Sequence, residues 1–215
     1  MVALTHTPPV PDSEETKENE VTALPENSAS EPHLFTVAEY AELGEFEHGY
    51  SELVEGRLVM SPSPSPNHNR ASLRLAMQLE SQLPPDLEVI QDVDLDLELV
   101  PIGDPGFSRR PDLVVIPCSA RDRVSDEGGL LRASEVVVVL EIVSPSSRRH
   151  DRVIKRGEYA DAGIPHYWIV DLNPPVSLVA CHLAGAFGYQ DAGDVVGEFT
   201  TSVPFQVRLE LDGLV

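Results

Sequence analysis

Residues 135 to 146 read EVVVVLEIVSPS, and Glu141 stands inside this otherwise apolar run. The run 136–140, followed by Ile142 and Val143, has the unalternating β-branched character of a strand buried on both faces. An ionised carboxylate taken out of water costs several kcal/mol or more unless it is paired or metal-bound. A second carboxylate, Asp112, opens another apolar stretch, PDLVVIP. If the two stretches pair as antiparallel neighbours, the start of one lies beside the end of the other. Asp112 and Glu141 then meet at one end of the sheet. Adjacent carboxylates repel and bind protons more tightly unless a cation lies between them. Mg²⁺ or Mn²⁺, which prefers oxygen ligands, resolves both the burial and the repulsion. The competing account of Glu141 is a buried ion pair with Arg109 or Arg148, and Asp112 alone reads as a cap on the turn after Pro111.

The elements that must position these groups follow from the pattern on either side. Thr36 with Glu39 three residues on is a capping-box signature for a short helix in TVAEYAEL. SELVEGRLVMS reads as two strands about a Glu55-Gly56 turn, and SPSPSP as a stiff loop. Asn67 is placed to cap a helix that runs to about Leu83. In VDLDLELV, Val93, Leu95, Leu97 and Leu99 alternate with acids, as in a strand with one wet face. The stretch 118–134 is polar enough for a surface loop. SPSSRRHD turns into a helix over 151 to 162, ended by Gly163 and Pro165. HYWIVD, VSLVACHL and FQVRLEL supply further strands. The fold class is α/β or α+β with a mixed central sheet.

Composition bounds the rest. Residues 1–33 are rich in Pro, Glu, Ser and Asn, carry seven acids and one base, and read as a disordered acidic tail before a single domain over 34–215. The sequence shows no apolar signal core, spanning segment or lipidation motif, which predicts a cytoplasmic protein without a membrane role. Cys118 and Cys181 are too few for a disulfide framework or a zinc site. The formal net charge is -21, which argues against a protein that coats nucleic acid indiscriminately. Ten of the fifteen bases nevertheless lie between Arg109 and Arg156. The field is acidic overall and basic in one region.

Pro111-Asp112, Glu141 in LEIVSPSS, then Asp151, Lys155 and Tyr159, then GIPHYWIVD, together resemble the Uma-type family of bacterial restriction endonucleases, within the PD-(D/E)XK nuclease superfamily. The similarity covers roughly residues 34 to 183 and includes SELVEGRLVMSPSPSPNH. It implies a restriction-endonuclease-like core, a mixed sheet flanked by helices, with extra strands at both ends. It further implies Asp112 and Glu141 as ligands of Mg²⁺ or Mn²⁺, with the backbone carbonyl of Ile142 as a third. The superfamily's lysine two residues after the acid is Val143 here; the Uma-type pattern takes it from the following helix, which matches Lys155. Lys155 is also the only lysine outside the tail, against thirteen arginines in the chain. Lysine is a compact point charge whose pKa can shift, which arginine's cannot readily do. Glu52 resembles the family's N-terminal acid and would reach the metal through a water.

The implied reaction is hydrolysis of DNA phosphodiesters, with Arg109, Arg110, Arg148 and Arg149 on the phosphate backbone. A catalytically silent binding or regulatory module on the same fold is the alternative, and hydrolysis of a smaller phosphate ester a third. A homodimer would let two sites cut two strands. Other residues carry plainer readings beside the functional one. His68 matches a family histidine but reads as an exposed helix residue. Ser144 shapes the turn or donates to a phosphate. Tyr159 packs, or joins Lys155 on one helix face. Trp168 is core.

Overall fold

The computed structural model of the chain describes residues 32–44, 49–61, 63–143 and 150–215. His33–Val215 forms one compact unit. Nearly all of the expected tail, and the expected roles of Ser144, Arg148 and Arg149, lie outside the described residues.

The first elements form where local chemistry dictates. Helix α1 (Val37–Glu42) begins at a complete Thr36–Glu39 capping box. Strands β1 (Tyr50–Val54) and β2 (Arg57–Ser61) form a hairpin whose turn residues, Glu55 and Gly56, both have positive φ, 51° and 73°. Two left-handed residues give the turn a twist that matches that of the strands. Helix α2 (Pro66–Glu80) is capped by Ser65 rather than Asn67: the Ser65 hydroxyl accepts from the His68 N–H at 3.2 Å, and Pro66 occupies the first turn. Proline there gives up only a donor that would be unsatisfied in any case.

There follow β3 (Leu87–Gln91), β4 (Leu95–Asp96), β5 (Ser108–Arg109), β6 (Leu113–Pro117), helix α3 (Cys118–Glu127), β7 (Leu131–Arg132) and β8 (Val138–Val143). A π-helical segment, His150–Lys155, runs into helix α4 (Arg156–Asp161). Then come β9 (His166–Asp171), β10 (Ser177–Leu183), β11 (Tyr189–Val196), β12 (Glu198–Thr201) and β13 (Val207–Glu210). Two expectations are corrected. The stretch 118–134 is not simply a loop, because it contains α3. The alternating stretch 93–99 is a strand only at Leu95–Asp96, since Asp92 and Glu98 adopt positive φ and break the extended run.

The main sheet has the order β11-β10-β9-β8-β6-β3, with β8 and β9 parallel and every other neighbouring pair antiparallel. Parallel neighbours need a crossover connection, and the helical segment 150–161 lies on it. A smaller sheet runs β2-β1-β5-β4-β7, and β12 and β13 pair with each other.

All six residues of β8 are buried. Their alternation divides the core in two. Val138, Leu140 and Ile142 pack in a cluster with Leu75 and Leu79 of α2, Trp168, and Phe199 and Leu209 of the β12–β13 pair. Val139 and Val143 pack in the other cluster with Tyr159, Tyr167 and Ile169, and with Leu95 and Leu97. Period two puts Glu141 on the face it shares with Val139 and Val143, toward α4 and the smaller sheet.

Candidate active site

Strands β6 and β8 are antiparallel, with Leu113 opposite Leu140. Asp112 lies one residue before the first of these and Glu141 one after the second, so both carboxylates stand at one end of the strand pair. Asp112 Oδ2 accepts the Ile142 backbone N–H at 2.6 Å. Its other oxygen, Oδ1, is 3.2 Å from His68 Nε2 at the first turn of α2. His68 is not an exposed helix residue; its side chain is 17% exposed, and its Nδ1 is buried without a well-formed hydrogen bond among the described residues. Burial opposes protonation of His68, but the Asp112 hydrogen bond and charge, with the charge of Glu141 behind them, raise its pKa on balance.

Glu141 is held from the helical crossover. Lys155 Nζ and the Tyr159 hydroxyl both donate to Glu141 Oε1, each at 2.8 Å. Tyr159 is fully buried; burial and the neighbouring Glu141 charge push its phenol well above its ordinary range, so it stays protonated and donates. Lys155 Nζ is also 3.1 Å from Glu52 Oε1. Glu52, 5% exposed on β1, is no surface carboxylate. Burial pushes its pKa up, but Lys155 and Arg109 outweigh that and hold it below the ordinary 4.5.

Arg109 ends β5 at 1% exposure. Its Nη1 donates to Glu52 Oε2 at 2.7 Å, while Nε and Nη2 grip both oxygens of Glu158 at 2.7 and 2.6 Å. The expectation that Arg109 meets DNA phosphates is corrected: it is buried, with its fork occupied by two carboxylates, and its place is structural. Arg110 points elsewhere, its guanidinium 4.4 Å from the Tyr50 ring centroid and 3.8 Å from Asp94, while its backbone N–H donates to Glu52 Oε1 at 3.3 Å.

The result is one chain of buried and, at Glu158, part-buried charge, Glu158–Arg109–Glu52–Lys155–Glu141, closed by Tyr159. It joins the smaller sheet to the main sheet through α4 and the turn before it. Glu158 was not singled out from sequence. Its signal was there: Lys155, Glu158 and Tyr159 are spaced i, i+3, i+4 and share one helix face.

Among the described residues no three His, Cys, Asp or Glu side chains converge to hold a metal ion by themselves. The donor set still fits a hard divalent cation. Mg²⁺ commonly keeps several waters and takes only one or two carboxylates, with substrate phosphate completing its shell. Asp112 and Glu141 would supply such a pair, and the Ile142 carbonyl follows directly in the chain.

No helix among the described residues is long and apolar enough to cross a membrane. No curated protein matches the chain. Among solved structures, the chain resembles a protein from Anabaena variabilis described as a putative nuclease belonging to DUF820. The TM-score is 0.62 at 18% identity, over 84% of this chain and 97% of that one. That likeness supports a restriction-endonuclease-like α+β fold. The family model described as "Uma2: Putative restriction endonuclease" matches residues 37–204, and the chain belongs to that family.

Proposed function

We propose that this protein is a metal-dependent nuclease that hydrolyses DNA phosphodiester bonds at the site built on Asp112, Glu141 and Lys155. The observation that carries the reading is the meeting of Asp112 and Glu141 at one end of β6 and β8, with the Lys155 ammonium 2.8 Å from Glu141. Asp112, Glu141 and the Ile142 carbonyl would hold Mg²⁺ or Mn²⁺. Such an ion, when bound, lowers the pKa of a coordinated water and polarises a phosphoryl oxygen.

The chain's own residues do the rest. Lys155 keeps a positive charge at the carboxylate pair, where it orients the attacking water or neutralises charge growing on the phosphoryl group. Glu52 and Tyr159 fix Lys155 and Glu141 against each other. His68 holds Asp112 from the opposite side, and Arg110, beside Glu52, is a partly exposed cation, with a side-chain exposure of 27%.

The alternative, a silent binding module on the same fold, draws on a specific observation: the carboxylates already have protein partners, and no three-ligand cage exists among the described residues. One experiment separates the two. Mn²⁺ is titrated calorimetrically into the full chain, and supercoiled plasmid is incubated with Mg²⁺ or Mn²⁺. Asp112→Asn, Glu141→Gln and Lys155→Met are run alongside. Nicking that needs the metal and disappears in all three folded variants supports the nuclease. A wild type that neither binds Mn²⁺, with or without DNA, nor nicks plasmid supports the silent module.

A further inference from the structure

A second feature adjoins the carboxylate site. A pocket of about 590 Å³ is lined by Tyr40, Tyr50, Asp92, Asp94, Arg110 and Leu130, among others. Its size lies within the range of small-ligand clefts, which combine an apolar lining with a few placed polar groups. Two of its walls are tied directly to the site. The Asp92 N–H donates to the Asp112 carbonyl at 3.3 Å, and the Arg110 N–H donates to Glu52.

The polar groups in the pocket are under-used. Arg110 Nε is buried with no hydrogen-bond partner among the described residues, and the guanidinium meets Asp94 only at 3.8 Å. The Tyr50 ring holds it in place through a cation–π contact, so its position does not depend on that weak ion pair. Asp94 is partly buried, and burial raises its proton affinity, which the Arg110 charge and the Tyr40 hydroxyl do not fully offset. A ligand that brought an anion to Arg110 and N–H donors to the aspartates would satisfy both. A nucleotide does this: its phosphate takes charge-assisted hydrogen bonds from arginine, and an amino-bearing base donates to carboxylate. Leu130, Val93 and Tyr40 offer apolar contact for the ring.

We infer that this pocket receives one nucleotide of the DNA, its phosphate on Arg110 and the exocyclic amine of an amino-bearing base on Asp94 and Asp92. This rests on the nuclease reading for its biological substrate, but its test does not. Deoxynucleoside monophosphates (dGMP, dCMP and dTMP) are titrated into the full chain in EDTA, with ligand-observed NMR and calorimetry as readouts. The wild type binds dGMP and dCMP on the order of tenfold or more tightly than dTMP, which lacks the exocyclic amine. Arg110→Gln weakens all three. Asp94→Asn, nearly isosteric, leaves binding in place and erases the preference. The Arg110→Lys chain keeps part of the affinity, and circular dichroism checks that each variant is folded.

A wild type that binds no nucleotide overturns the inference, as does binding indifferent to Arg110 and Asp94. Plasmid cleavage measured on the same preparation keeps the two readings apart. Cleavage without mononucleotide binding rejects the pocket alone. Binding with the expected variant pattern but without cleavage rejects the nuclease and retains the pocket.

Discussion

On the proposed metal-dependent reading, Lys155 occupies the place where a divalent cation would bring its charge. Its ammonium lies 2.8 Å from Glu141 and 3.1 Å from Glu52, so an incoming ion must compete with it for the Glu141 oxygens. Lys155→Met should therefore tighten Mn²⁺ binding while abolishing cleavage, whereas Asp112→Asn and Glu141→Gln lose both. Calorimetry beside a nicking assay checks this, and weaker Mn²⁺ binding in Lys155→Met would sink the competition. Arg109 gives the contrasting case. Removing one partner of a buried ion pair leaves the other charge uncompensated, which costs roughly 3–5 kcal/mol. Arg109→Ala takes from Glu158 its guanidinium clamp and from Glu52 one of two cationic partners, Lys155 remaining, and should destabilise the chain by about that much in urea unfolding at neutral pH. If it cost less than about 1 kcal/mol, the clamp would be incidental. From sequence, burial pattern and end position mark Asp112 and Glu141, while Lys155 follows from the family resemblance, with its rarity as added weight. Arg109 could not be assigned, since its partners lie 57 and 49 residues away and only the tertiary fold brings them near.

At the scale of elements, the strands and the caps were the most readable. β8 announces itself by composition, and the Thr36 box and the Glu55-Gly56 turn are local chemistry. Helix α3 was hidden because its apolar stripe is only Ala120 and Val124, with charged residues around them and no side-chain cap at Pro117. What holds it is again tertiary. Arg123 forks onto Glu135, with Nε to Oε1 at 2.5 Å and Nη2 to Oε2 at 2.7 Å. That hydrogen-bonded contact holds the Glu135 carboxyl below its ordinary 4.5, against a smaller opposing effect of burial. A depressed folded-state pKa means the stabilisation is complete above about 4.5 and fades as pH falls through the lower folded value. Glu135→Gln should thus cost about 0.5–1 kcal/mol at pH 7 and progressively less toward pH 3, as followed by thermal melts across that range. A constant deficit across those pH values would show that the pair does not act through charge.

On the scale of the whole molecule, the net charge of -21 sets the terms on which a polyanion is met. On the proposed nuclease reading, long-range attraction to DNA is weak and binding would depend on a few focused contacts. Each phosphate neutralised contributes about -0.9 to the slope of log affinity against log salt on duplex DNA. With few exposed basic side chains near the site among the described residues, a shallow slope of roughly -2 to -4 follows, measured by fluorescence anisotropy in Ca²⁺ to hold back cleavage. A slope near -10 would mean that a broad basic surface engages the DNA instead. The acidic excess could be counted from the sequence at once. That the arginines divide between buried clamps and exposed contacts could not, because composition carries no information on which side of the fold a charge faces.

The charge chain from Glu158 to Glu141 also bears on descent. Its members join two sheets through a helix, so selection for a folded chain preserves them whether or not the protein still cuts anything. A lineage that abandoned catalysis would go on carrying the lysine, the glutamates and the tyrosine of an enzyme. Asp112 sits outside that chain, 15% exposed, touching His68 and the Ile142 N–H. Among related chains, it is the position at which relaxed selection would first leave a mark.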